Sequence, residues 1–380
     1  MRILHVLTTL DVGGAEMHVL KQVQGQVARG HEVRVAYLKG QGTLEPDFRA
    51  AGASDVRHVP GGPLFPIKLR GLLGWCDLVH SHLLKADALT SAAVLLAGKR
   101  KRYLSGKHND EQVLNRPLVG LVHGMIGRVP ARTIVLSDHV GRFIEEKGRV
   151  PRTRQSRVYY GLDPAPFEEA ARSVDRAAIL AEFGFAASDV VFLCVARFAR
   201  QKAHEVLLAA TAEARRTNPS IKLLLVGDDP FGDERERAFA VARDLGLSDA
   251  EGRGAAVFAG IRRDVPSLMA AADVFVMASR WEGLGLVFLE AMATSRPVLS
   301  TTVSAIPEVV VDGTTGRLVP PDDAAAMAAA MVELAGSAEL RSRLGTAGHE
   351  RVIERFGLDV MVDETLRVYE EVLRRSGHGG

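Results

Sequence analysis

An α/β protein with two open, doubly wound parallel sheets is what this sequence predicts, on three observations. Short apolar runs alternate with segments of helical length, the pattern of parallel strands joined by helical crossovers. The alternation stops at Tyr159–Phe167, YYGLDPAPF, and restarts with the apolar run Val190–Ala196. A chain of 380 residues also exceeds what one hydrophobic core comfortably serves. Two domains are therefore expected, residues 1–162 and 163–357, followed by a last helix over 358–376.

In chain order, Ile3–Leu7 reads as the first strand and Glu16–Ala28 as the first helix. His31–Leu38 follows as a strand and Leu44–Ala51 as a short helix. Strands recur near Val56–Val59, Leu78–His80, Tyr103–Leu104 and Thr133–Leu136, with helices near Lys85–Leu96 and Arg142–Lys147 among the connections. Ligands of such sheets sit beyond the carboxyl ends of the strands, so the loops there carry function. The first, Thr8–Glu16, holds adjacent glycines, Gly13 and Gly14, which let the backbone approach a ligand at a helix start. A tight strand–helix turn uses them equally well, and the dinucleotide fingerprint G-x-G-x-x-G is absent. His80, His82 and His108 fall at or just after strand ends. A lone histidine is more often structural than catalytic. His80 and His82, two apart, read as pointing to opposite sides of the strand and so not as a metal pair. In the link, Pro164 and Pro166 each disfavour helix just before them.

After Val190–Ala196 come Arg197 and Lys202, two cations five apart in a strand–helix connection. Arg suits bidentate phosphate contact and Lys a point charge, so the pair could hold a diphosphate; solvated loop cations would look the same. The strand Leu223–Val226 ends in Gly227-Asp228-Asp229, and Val257–Ala259 runs into Gly260-Ile261-Arg262. The stretch Ala272–Thr301 opens with the strand-like Val274–Met277, breaks at Ser279-Arg280-Trp281 and turns at Glu282-Gly283-Leu284-Gly285. A helix follows in which Leu286, Leu289 and Met292–Ala293 share one face while Glu290 points elsewhere. Unpaired N–H groups at its start suit a phosphate, and a carboxylate one or two turns in can accept from vicinal hydroxyls. An acid that merely complements the helix dipole, or an ordinary solvated glutamate, fits the spacing as well.

Composition excludes several classes. Charged residues at 25% and hydrophobic residues at 47% describe an ordinary globular chain. Cys76 and Cys194 lie in or beside apolar runs, as buried thiols of a reducing cytoplasm do, and no zinc or calcium spacing is present. The N-terminus reads as a short strand rather than a signal peptide, and no apolar stretch approaches the ~20 residues of a membrane span. Charge is divided: residues 1–165 carry 24 Lys and Arg against 14 Asp and Glu, a net of +10, and residues 166–380 carry −8. The first half is thus expected to meet something anionic, through Lys99–Arg102, Lys107 and the arginines at 149, 152, 154 and 157; solvated basic faces, or attraction between the two oppositely charged halves with no external partner, fit the count as well. A membrane surface fits better than nucleic acid, for which no motif or aromatic interleaving is present.

Glu282–Ala293, EGLGLVFLEAMA, resembles the signature of the retaining family-4 glycosyltransferases, two glutamates separated by seven residues; the aromatic usual at Leu284 is missing. The resemblance extends to Arg197 and Lys202 as R-x-x-x-x-K, to the G-G-x-E loop at Gly13–Glu16, to the His-Asn at 108–109, to the link at 159–167, and to Glu308 and Gly316. It implies the GT-B fold, two facing Rossmann-like domains with the active site in the cleft between them and the last helix crossing back to the first. Also implied are a nucleoside-diphosphate sugar donor, with a UDP-sugar ahead of a GDP-sugar, and a hydroxyl acceptor such as a lipid-linked glycan or polysaccharide precursor. The reaction implied is transfer with retention, by front-side attack in which the donor phosphate takes the acceptor proton, with no cofactor and no obligatory metal.

By the same resemblance His108 and Glu282 are the catalytic-site residues. Gly14, Arg197, Lys202, Gly227, Ile261, Gly283, Leu284, Gly285, Leu286, Val287 and Glu290 bind the donor, and His82 is left as an acceptor contact. The expected location is cytoplasmic, at the inner face of the plasma membrane. Rival readings are a GT-B sugar-nucleotide epimerase, a non-catalytic sugar-nucleotide sensor and glycosylation of a soluble small acceptor; an NAD oxidoreductase lacks its fingerprint. The tail SGHGG is expected to be disordered.

Overall fold

A computed structural model describes residues 1–108, 112–230 and 232–377, so Asn109 of the His-Asn pair and the last three residues of the tail lie outside it. The chain divides into two compact units, Met1–Gly161 with Leu358–Gly380, and Leu162–Gly357.

The first unit holds seven parallel strands: β1 (Arg2–Leu7), β2 (Glu32–Tyr37), β3 (Asp55–His58), β4 (Leu78–His82), β5 (Tyr103–Lys107), β6 (Arg132–Val135) and β7 (Gln155–Arg157), in the order β3-β2-β1-β4-β5-β6-β7. The second holds six: β8 (Val190–Val195), β9 (Ile221–Val226), β10 (Ala256–Gly260), β11 (Val274–Val276), β12 (Val298–Thr301) and β13 (Gly316–Val319), in the order β10-β9-β8-β11-β12-β13. Helices cover both faces of such sheets, which is why the central strands read as continuous apolar runs. In both units the order reverses beside the first strand, β1 against β4 and β8 against β11. Loops after those strands diverge there and leave the crevice in which ligands of these sheets bind.

Three elements of the first unit escape the sequence reading. β7 is a short polar edge strand, Gln-Ser-Arg, with no apolar run to betray it. The helices Phe65–Trp75 and Pro117–Ile126 carry glycines and a first-turn proline that mimic loop composition. Proline is tolerated there because the first-turn N–H has no partner anyway. The same reason places Pro166 inside the helix Ala165–Ser173, within the stretch read as a linker.

The last helix, Leu358–Gly377, belongs to the first unit and runs through two residues of the tail expected to be disordered. Met361, Val362, Leu366, Tyr369 and Val372 complete a core with Val19 and Val23 of the helix Gly14–Ala28 and with Ile3 of β1. Gly25 makes the approach possible, since a Cβ there would lie 2.5 Å from Val362 Cγ2. Arg29 adds ion pairs to Asp359 and Asp363 at 2.9 and 2.7 Å.

At the end of β9, Gly227 permits a close approach that no other residue could. A Cβ would fall 1.9 Å from the Ala196 carbonyl oxygen, while its N–H donates to Gly260 at 2.9 Å. Gly227→Ala should therefore destabilise the second unit by about 3 kcal/mol or more, read as a fall in the urea midpoint. An unchanged midpoint would show that the β8–β9 edge yields.

Candidate active site

The β8–β11 reversal of the second unit brings together the residues that the sequence singled out there. From the end of β8 the chain passes Arg197 and makes a single 3₁₀ turn, Arg200–Lys202. It then swings through Ala203, in the left-handed region at φ 47°, into the helix His204–Thr217. From β11 it passes Ser279–Glu282 and enters the helix Leu286–Ala293 through Gly285, left-handed at φ 77°. Arg280 laces the two loops. Its guanidinium donates to the Arg200 carbonyl and to Glu205, both at 2.7 Å, and to Asp322 at 2.8 Å. Gln201 returns a bond to the Trp281 carbonyl at 2.7 Å.

Lys202 and Glu282 form an ion pair whose side chains are 13% and 7% exposed. The same Glu282 oxygen accepts from Ser279 Oγ at 2.7 Å, and the Glu282 N–H donates to Ser304 Oγ at 3.1 Å. Glu282 is thus a fixed carboxylate with its own cation. Arg197 is exposed and, among the described residues, makes no side-chain bond. No side chain caps the helix at Gly285, so the N–H groups of Leu286 and Val287 have no side-chain partner there.

Glu290 differs from Glu282. Among the described residues it has no partner, and burial raises its carboxyl to about 7. The buried side of its helix is Phe288, Leu289, Ala291, Met292 and Ala293. Leu286 was expected on that side, yet it is partly exposed and shares the open face with Val287 and Glu290, one turn apart. The Leu284 side chain is buried, leaving only its backbone to a ligand, and Gly283 lies in the turn beside it. Ile261 follows the end of β10 and is largely exposed, after Gly260 at φ 68°.

Gly14 and His108 lie in the first unit, at its own reversal. Gly14 is the first residue of its helix and is open to solvent. Glu16 behind it is buried and accepts from Thr9 Oγ1 at 2.5 Å. His108 ends a hydrogen-bonded row: Gln26 Oε1 to His5 Nε2, His5 Nδ1 to His82 Nε2, and His82 Nδ1 to His108 Nε2, each 2.9 Å, then His108 Nδ1 to Tyr160 Oη at 2.8 Å. With the amide oxygen toward His5, each ring donates down the row toward Gln26 and Tyr160 donates into His108. Burial holds His5 down at about 4 and His108 at about 3, so the row is neutral at physiological pH. Both ring nitrogens of His108 are engaged.

The opposite-sides reading of His80 and His82 is wrong. Alternate residues of a strand share a side, and the two rings stand 4.1 Å apart, with His5 of β1 5.1 Å from His82. His5, His80 and His82 could hold a metal by proximity, with ligand atoms within 4.8 Å of one another. Five of their six ring nitrogens are nevertheless occupied, His80 Nδ1 by Tyr369 Oη at 2.6 Å, and only His80 Nε2 is without a partner. The 2.9 Å between His5 and His82 is a hydrogen bond, shorter than the spacing of two nitrogens ~2.1 Å from a tetrahedral zinc. His5, Gln26 and Tyr160 escaped the sequence reading. A histidine inside the apolar run of β1 was the available signal.

The basic runs are less free than their sequence suggested. Arg152 and Arg157 flank Asp138 at 2.9 and 2.8 Å, Arg100 and Arg154 donate to the Arg128 carbonyl, and Lys99 donates to the Cys76 carbonyl. Among the described residues, no helix is long and apolar enough to cross a membrane.

Comparison with known proteins accords with this geometry. Residues 189–337 match the model "Glycosyl transferases group 1" and residues 12–166 match "Glycosyltransferase Family 4". The D-inositol 3-phosphate glycosyltransferase of Streptomyces bingchenggensis is 30% identical over 99% of this chain and 90% of its own. A GDP-mannose-dependent phosphatidylinositol monomannoside mannosyltransferase of Mycolicibacterium smegmatis is 29% identical over 90% of this chain and 91% of its own. Among solved structures, a Rickettsia africae glycosyltransferase superposes with a TM-score of 0.84 at 18% identity, covering 98% of both chains. Anabaena HepE with UDP and glucose gives 0.82 at 19%, over 98% of this chain and 100% of its own. The chain is therefore a glycosyltransferase of the GT-B fold and belongs to glycosyltransferase family 4, the group 1 glycosyl transferases.

Proposed function

We propose that the protein moves a sugar from a nucleoside-diphosphate sugar to a hydroxyl acceptor with retention of configuration, using no cofactor and no obligatory metal. The observation that carries this reading is the assembly at one strand reversal of Arg197, Lys202, the uncapped helix start after Gly285 and the unpartnered Glu290. Arg197, Lys202 and the N–H groups of Leu286 and Val287 take the charge of the departing diphosphate. Glu290 accepts from the ribose hydroxyls, and Gly227 and Ile261 border the base. Glu282, fixed by Lys202 and Ser279, faces the donor hydroxyls. The anomeric C–O bond to the diphosphate breaks, the acceptor oxygen bonds on the same face, and its proton passes to the leaving phosphate oxygen.

A UDP-sugar stands ahead of a GDP-sugar because the HepE structure holds UDP, although the Mycolicibacterium relative is named for GDP-mannose. A lipid-linked acceptor is put first because that relative is named for a phosphatidylinositol mannoside, and work at the cytoplasmic face of an anionic membrane is the location proposed with it. In the first unit Gly14 and His108 are the proposed substrate contacts, and His108 must exchange a ring bond to reach a hydroxyl.

Calorimetry with UDP-glucose, UDP-N-acetylglucosamine and GDP-mannose tests the reading. Arg197→Ala should weaken binding of the preferred donor by roughly 1.5–3 kcal/mol, the loss of a charge-assisted hydrogen bond. Unchanged affinity would remove Arg197 from the site. Turnover of donor without any acceptor would favour the epimerase reading instead.

A further inference from the structure

The helix Pro117–Ile126 in the first unit is built inside out. Its buried positions are Gly120, His123 and Gly124. Leu118, Leu121, Val122 and Met125 occupy the other side at i, i+3, i+4 and i+7, and all are exposed, Leu118 to 73% and Met125 to 55%. An amphipathic helix on a protein surface has the reverse arrangement. The glycines permit the inversion: a Cβ at Gly120 would lie 2.4 Å from the Lys147 carbonyl oxygen, and one at Gly124 2.8 Å from Arg149 Cβ. His123, kept neutral by burial, anchors the seat by donating from Nδ1 to the Gly148 carbonyl at 2.7 Å. Beside the helix an apolar cleft of about 510 Å³ runs between Leu84, Ala88, Val119, Val122 and Ile126.

The helix and its immediate flanks carry basic charge, while two exposed glutamates, Glu145 and Glu146, precede the segment beneath it. Residues 112–137 contain Arg116, Arg128 and Arg132 and no aspartate or glutamate. Arg116 and Arg128 are exposed at the two ends of the helix, Lys147 and Arg149 are exposed on the segment beneath it, and Lys85 is exposed at the cleft. These flanking side chains, rather than the arginines tied to Asp138, are the ones free to meet an anionic surface.

We propose that this helix docks the first unit on an anionic bilayer, its Leu118, Leu121, Val122 and Met125 face entering the headgroup–acyl boundary while Arg116, Arg128, Lys85 and Lys147 sit against lipid phosphates. Ten residues give a helix of about 15 Å, too short to span and suited to lying in the plane of the surface. The face has aliphatic side chains and no aromatic one, whereas the anchors of protein interfaces are dominated by tryptophan, tyrosine and arginine. A second copy of the chain is also a poor occupant, because two such helices packed antiparallel would set Arg116 against Arg128. This inference names the surface behind the membrane contact put forward above and does not depend on the donor chemistry.

The test is co-sedimentation of the full chain with neutral and with strongly anionic vesicles, at low and at high salt. Wild-type protein should partition to anionic vesicles and lose much of that binding at high salt, where the screening length falls to about 3 Å at 1 M. Leu121→Glu combined with Met125→Glu should weaken partition roughly tenfold or more, with thermal midpoint and UDP-sugar affinity unchanged. Arg116→Glu combined with Arg128→Glu should weaken it on anionic vesicles alone. Wild-type protein that stays in the supernatant, or a Leu121/Met125 variant that sediments like wild type, overturns the proposal. So does a wild-type dimer that the same pair of substitutions dissolves, since the helix would then face another copy. Failure here with donor binding intact leaves the enzymatic reading standing, and loss of donor binding with sedimentation intact does the opposite.

Discussion

Lys202→Ala is expected to remove most of the donor affinity and to destabilise the second unit by about 3–5 kcal/mol, the cost of leaving a buried charge without its partner. Once the ammonium is gone, Glu282 keeps only the Ser279 hydroxyl at its paired oxygen, in a pocket where it is 7% exposed. Glu282→Ala should be costly for the mirror reason. The double variant should recover much of the stability, since neither charge is then stranded, but none of the donor affinity. An ammonium has three N–H donors, so Lys202 can keep Glu282 and still reach a phosphate; the pair holds the cation in place between turnovers. Urea midpoints and calorimetry on the four proteins of this cycle separate the two roles. If the double variant is as unstable as either single one, the pair is not the source of the loss. If Lys202→Ala binds donor normally, the lysine holds a loop and nothing more.

Much of the fold was legible because β8, β9 and their counterparts are buried on both faces and so read as unbroken apolar runs. The motif residues after β8 and β11 were legible as types, and the pairing of β8 with β11 sets their loops side by side. What spacing could not show is which of two similar glutamates is satisfied. Glu282 and Glu290 look alike in sequence, yet one meets a lysine 80 residues away and the carboxyl of the other has no partner among the described residues. The histidine row was hidden for the same reason: His5 and His82 are 77 residues apart and meet only because β1 pairs with β4, Leu7 opposite His82. Charge counting misled in a related way, since Arg152 and Arg157 are bound by Asp138, 14 and 19 residues earlier, at the start of a helix. Partners set by register or by tertiary packing leave no local trace.

With Glu290 in the ribose-binding role proposed above, donor binding should depend on pH. Glu290 has its carboxyl raised from 4.5 to about 7 by burial, so the free protein holds it largely protonated below that pH. Ribose hydroxyls that donate to it need the carboxylate, and the bound state must therefore release a proton that the free state keeps. Donor affinity should fall as pH drops through 7, by roughly tenfold between pH 8 and pH 6, one decade for each unit below the free-state value. A UDP-sugar is the right probe, because its diphosphate diester stays fully ionised across that range. His108 and His204, pushed down to about 3 and about 4 by burial, do not titrate there. Stability carries the converse sign: between 4.5 and 7 the unfolded chain ionises while the fold keeps the proton, so the free protein loses stability from this group as pH rises through that window. Glu290→Gln should remove both slopes and, at pH 8, weaken the donor by roughly 1.5–3 kcal/mol. A wild-type affinity flat from pH 8 to 6, or a glutamine variant that keeps the slope, would place the ribose contact elsewhere.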